Sequence, residues 1–168
     1  MAILQDKNYA VSHSEVEFKL IRVSDDSVLF MAIFRAGATW PEIEMKINCL
    51  KSDFYTLLDN LRLLENTYLS KLEMHDPGLV IYHIPQFGTY YYPSFGPNQI
   101  PEEERHEWEP YYELIFMLDA GEKNSLSANW RGPALSLAVT QVQIEAFVAC
   151  LKKETSDHLW FSPVRYNH

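Results

Sequence analysis

The strongest constraint on what this chain can fold into is that it reads as the same unit twice, near residues 16–64 and again near 112–154. An apolar strand opens each unit, Phe18-Lys19-Leu20-Ile21-Arg22-Val23 and Leu114-Ile115-Phe116-Met117-Leu118. A polar stretch follows, Ser24-Asp25-Asp26-Ser27 and Ala120-Gly121-Glu122-Lys123-Asn124, made of residue types that favour turns. Second strands end alike, Ala32-Ile33-Phe34-Arg35-Ala36-Gly37 against Ala128-Asn129-Trp130-Arg131-Gly132. Third strands alternate strictly: Ile43, Met45 and Ile47 around Glu44 and Lys46, then Leu135, Leu137 and Val139 around Ser136 and Ala138. A period of two with one polar face predicts half-buried strands.

A helix closes each unit. Phe54, Leu57, Leu58, Leu61 and Leu64 recur at helical spacing, as do Ile144, Phe147, Val148 and Leu151. Ser52 is the expected N-cap of the first helix, with Asp53 at the positive end of its dipole. Thr140-Gln141-Val142-Gln143 has the pattern of a capping box for the second. Neither unit can bury a sheet face and a helix stripe alone. The expected fold class is therefore α+β: an antiparallel β-sheet built from two βββα pseudo-repeats, with two helices packed on one face. At 168 residues the chain is one domain, residues 1–168.

A formal net charge of −9 argues against direct binding to nucleic acid or anionic membrane, since phosphate contacts need clustered cations. It suits a basic partner. Cys49 and Cys150 form no metal-type spacing and no disulfide framework, and both fall in runs where a thiol packs as a small apolar group. The first residues, Met1 to Asp6, lack a cationic region followed by an apolar stretch. The longest apolar run, Val28 to Phe34, is far too short for a membrane span. These features predict a cytoplasmic location.

Between the units the composition changes. Tyr68 to His75 and Leu79 to Ile84 read as strands around the turn His75-Asp76-Pro77-Gly78. A Pro- and Tyr-rich insertion follows at about 85–110, and six of the nine prolines lie between 77 and 110. It carries Tyr90, Tyr91, Tyr92, Phe95 and Trp108, aromatic types that suit interface hot spots. Beside them stand Glu102, Glu103, Glu104, Glu107 and Glu109. From 102 to 113 six Glu face one Arg, a net of −5, more than half of the chain's excess. Such a block is either solvated or a landing surface for a basic protein. These ten residues are the candidate partner-binding set.

No catalytic pattern is found. His106-Glu107 is followed by Pro110 where a zinc protease motif needs its second His, and the phosphate-binding, nucleophile-elbow and dinucleotide motifs are missing. No catalytic, cofactor-binding or metal-binding residue is assigned, and no cofactor is expected. His75, His83 and His106 with neighbouring carboxylates leave open an enzyme with an unrecognised site. Arg35 and Arg131, each after an aromatic residue and shortly before a glycine, are expected either to stack on their surroundings or to pair with a carboxylate at a strand end. A regulatory adaptor that dimerises through a sheet edge or the aromatic loop is the remaining alternative.

The stretch Trp130-Arg131-Gly132-Pro133, running through Leu135-Leu137-Val139 to Gln143-Ile144-Glu145-Ala146-Phe147, resembles the C-terminal half of small bacterial immunity proteins of polymorphic toxin systems, WapI-type relatives among them. The segment from Gly37 to Leu61 looks like a looser copy, and the insertion at 85–110 departs from the pattern. The resemblance implies a non-enzymatic inhibitor that masks the active face of a toxin. The partner expected is a protein, a basic toxin domain, and the chain itself a monomer or homodimer.

Overall fold

The computed structural model describes residues 1–64, 70–74, 78–84, 90–92, 96–98, 111–118 and 132–160, with backbone alone at 90–92, 96–98 and 158–160. Its strands are β1 (Ala2–Gln5), β2 (Glu15–Val23), β3 (Ser27–Arg35), β4 (Ile43–Leu50), β5 (Ser70–Met74), β6 (Leu79–Ile84), β7 (Tyr90–Tyr92), β8 (Gly96–Asn98), β9 (Tyr112–Leu118) and β10 (Ala134–Val139). Its helices are α1 (Tyr9–Ser12), α2 (Lys51–Arg62) and α3 (Gln141–Trp160). The fold is α+β, and all strand pairs are antiparallel.

The main strands divide between two four-stranded sheets, ordered β1-β2-β3-β4 and β10-β9-β6-β5, where one larger sheet was expected. Each sheet is a meander in which every strand pairs with the next strand of that sheet, β7 and β8 forming a separate ribbon, and each is followed by a helix. Three strands therefore precede each long helix, β2-β3-β4-α2 and β6-β9-β10-α3, and a fourth edge strand is added in both cases. The second unit draws in β5 and β6, so it begins upstream of the residues that the internal similarity marks. The expected strand at 128–131 lies outside the described residues. The sheets meet at β1 and β10: the Lys7 amide donates to the Ala138 carbonyl at 2.6 Å, and the Ala138 amide donates to Asp6 Oδ2 at 2.9 Å.

Local chemistry accounts for the joints. Ser24 accepts from the Ser27 amide through Oγ at 3.0 Å and closes the β2–β3 hairpin. The capping box of α3 forms as its pattern predicts. Thr140 Oγ1 accepts from the Gln143 amide at 3.3 Å, and Gln143 Oε1 accepts from the Thr140 amide at 2.9 Å. Ser52 does not cap α2. The helix starts two residues earlier, at Lys51 directly after β4, and Ser52 Oγ donates to Asp53 Oδ1 instead. Strand β1 was not foreseen, because four residues carry too little pattern; Ala2 and Leu4 are nonetheless buried.

Both sheets and both long helices converge on one aromatic cluster. The Phe18 ring lies 4.9 Å from Phe30, 5.3 Å from Phe147 and 6.4 Å from Phe116, and Phe30 lies 5.4 Å from Phe54. Burial of each such ring is worth roughly 1.5–3 kcal/mol. The spaced apolar residues of the helices, Phe54, Leu57, Leu58 and Leu61 on α2 and Ile144, Phe147, Val148 and Leu151 on α3, all face this core. No helix among the described residues is long and apolar enough to cross a membrane.

Candidate functional site

Strands β6 and β9 pair directly, from Leu79↔Leu118 to Ile84↔Glu113. A short turn after Ile84 would complete this hairpin, as Ser24–Ser27 completes β2–β3. The chain instead leaves the sheet after Ile84 and returns at Tyr112. The Pro- and Tyr-rich insertion occupies this interval, between two strands that pair directly with one another. Within it β7 and β8 form a two-stranded ribbon, Tyr90↔Asn98, Tyr91↔Pro97 and Tyr92↔Gly96. A proline is tolerated there because neither strand has a second neighbour in that ribbon. The side chains of Tyr90, Tyr91 and Tyr92 lie outside the described residues, as do Phe95, Glu102, Glu103, Glu104, Glu107, Trp108 and Glu109.

A second constellation stands at the end of the first sheet. Glu15 and Glu17 lie two residues apart on β2, and period two puts them on one face. Glu15 pairs in register with Arg35 at the end of β3. The guanidinium gives each of three carboxylates a separate nitrogen: Nη1 to Glu15 Oε1 at 2.9 Å, Nη2 to Glu17 Oε2 at 2.8 Å, and Nε to Glu42 Oε2 at 2.5 Å. Gln5 Nε2 adds a bond to Glu15 Oε2 at 3.0 Å. Burial alone would lower the Arg35 pKa; the bonds from Glu17, Glu42 and Glu15 outweigh it and hold the pKa above its ordinary value. Three carboxylates on one cation leave this end of the sheet anionic. Arg35 has the strand-end carboxylate partner expected of it, in threefold form, whereas Arg131 lies outside the described residues. The alternating Glu15-Val16-Glu17 is the sequence signal for the other half of this clamp.

Two histidines, His13 and His83, have described side chains. His83 is fully buried on β6, its ring 5.4 Å from that of Tyr112. His13 sits at the left-handed end of α1, φ 47°, against the Tyr9 ring. Among the described residues no three His, Cys, Asp or Glu side chains are grouped as a metal would need. Two hollows open between elements of the described residues. One, of about 220 Å³, lies between α2 and β5 and is lined by Asp53, Thr56, Asn60, Lys71 and Glu73. The other, of about 520 Å³, lies between α2 and α3 beside Arg62, Glu145 and Lys152. Lys152 Nζ is already engaged by Asp59 Oδ1 at 2.6 Å, a bond that also holds the Asp59 carboxyl below its usual pKa. These hollows are rimmed by charges of both signs, so neither selects an anionic or a cationic ligand.

Comparison with protein-family models, with curated proteins and with solved structures finds no match to this chain.

Proposed function

We propose that this chain is a non-enzymatic acidic binding protein, an immunity protein that neutralises a cytoplasmic toxin by covering its active face. The observation that carries the reading is the excursion between Ile84 and Tyr112. Its flanking strands pair directly across it, and long insertions of this kind usually carry function. That interval bears the aromatic residues and most of the local negative charge. Carboxylates at 102–104, 107 and 109 would steer a basic toxin domain and set its docking register. Tyr90, Tyr91, Tyr92, Phe95 and Trp108 would supply the apolar anchors. The anionic Arg35 clamp adds to the same long-range field.

The test is co-expression with the product of the reading frame beside its own. Restored growth and a stable complex of the two purified proteins are the expected results. A host still killed, with no complex formed at micromolar concentration, would overturn the reading.

A further inference from the structure

Strand β4 closes the first sheet. Its hydrogen-bonding partner is β3, and no strand among the described residues lies on its other side. Eight residues long and free of proline, it is an edge of the kind that templates further pairing. Exposed apolar side chains concentrate there: Ile43 lies in the strand, Leu50 at its end, and Trp40, 73% exposed, just before it.

The sequence of this edge is self-complementary about Met45. Ile43 and Ile47 stand two residues to either side, and Glu44 and Lys46 one residue to either side with opposite charge. We propose that two copies of the chain pair through β4, antiparallel, about a two-fold axis at Met45. Each Glu44 then faces Lys46 of the second copy, Ile43 faces Ile47, and Met45 faces itself. Register within the sheet fixes the faces. Glu44 and Lys46 lie opposite Ile33 and Met31 on the side away from the helices, while Ile43, Met45 and Ile47 lie opposite Phe34, Ala32 and Phe30 on the core side. The two charge pairs therefore form toward solvent, and the apolar contacts extend the existing core. Moving the axis to Glu44 or to Lys46 sets a like charge against itself, which cross-strand pairing disfavours. The same axis brings Leu50 of one copy level with Trp40 of the other, covering exposed apolar groups at both ends of the seam. The product is one continuous eight-stranded sheet with a closed two-fold interface. This assembly goes beyond the inhibitor reading and does not depend on it.

Sedimentation equilibrium of the full chain tests the proposal together with Glu44→Lys, Lys46→Glu and the double exchange. The parent should dimerise reversibly with concentration. Either single exchange places like charges opposite one another twice and should weaken the dimer on the order of tenfold or more. The double exchange restores opposite pairs and should recover the dimer, and an equimolar mixture of the two single variants should form a heterodimer. A parent that stays monomeric at every concentration, or a dimer indifferent to both single exchanges, would overturn the proposal. So would single-exchange losses that neither the double exchange nor the mixture repairs.

Discussion

Arg35 Nη2 lies 2.8 Å from Glu17 Oε2, across two neighbouring strands, and the Glu17 side chain is only 5% exposed. A carboxylate so far removed from water is tolerable only while its cation remains. Glu15, nearly as buried, depends on the same guanidinium. Replacing Arg35 with Ala strands both, so the loss should exceed that of an ordinary surface ion pair. Breaking a buried pair costs about 3–5 kcal/mol; since Arg35 is itself a third exposed, a loss of about 2–3 kcal/mol is expected in urea unfolding. Arg35→Lys should recover little of it, because one ammonium cannot reach three carboxylates in fork geometry.

Cys49 is a test of core protonation. Burial pushes its thiol up to about 12, with a smaller contribution from the Asp53 charge. The folded thiol thus holds its proton more tightly than the unfolded one. Its contribution to stability is complete below the unfolded pKa, near 9, and is lost as pH rises toward 12. The stability difference between the parent and Cys49→Ala should therefore shrink over pH 9–12, by at most about 1.4 kcal/mol per pH unit. In a thiol-labelling experiment Cys150, half-buried on α3, should react first, and Cys49 only at the rate of global unfolding. Rapid labelling of both thiols in the native protein would contradict this.

The start of α3 is held by the reciprocal pair Thr140 and Gln143. Thr140→Ala should cost about 1 kcal/mol. Gln143→Ala should cost less, and the double variant should cost less than the sum, because the bond from Thr140 Oγ1 to Gln143 Oε1 at 3.1 Å needs both side chains and is lost in either single variant. Strict additivity in denaturant titrations would show that the two bonds act independently.

What could be read from the residues alone follows from how local each signal is. The capping box of α3, the Ser24–Ser27 turn and the apolar stripes of both long helices are written within a few positions, and they form as read. Pairing between sheets is not local. Whether eight strands make one sheet or two depends on the β1–β10 junction, where Lys7 meets Ala138 across almost the whole chain. The Arg35 clamp was half visible. Arg35 was expected to find a carboxylate, but Glu15 and Glu17 are distant in sequence, and only the β2–β3 register brings them to it. Ser52 failed as a cap because β4 runs into α2 without an intervening residue, so Leu50 occupies the cap position. For the ten residues of the expected interface, the structure supplies the point of attachment, between Ile84 and Tyr112, and the pairing of Tyr90–Tyr92.

That attachment point yields the most direct separation of fold from function. If the β6–β9 ladder is self-sufficient, residues 85–110 can be replaced by a short Gly-containing turn, because Ile84 and Glu113 are already opposite one another. Shortening a loop also lowers the entropy cost of closing it, by roughly 0.6 kcal/mol for each halving of length. The excised variant should unfold cooperatively with a stability equal to or slightly above that of the parent, and under the proposed function it should no longer bind a basic partner protein. Within the intact chain, exchanging Glu102, Glu103 and Glu104 for Lys should leave folding unchanged and slow association most at low salt, where steering is least screened. An excised chain that fails to fold would make the insertion part of the core. An association rate unmoved by the three exchanges would remove its steering role.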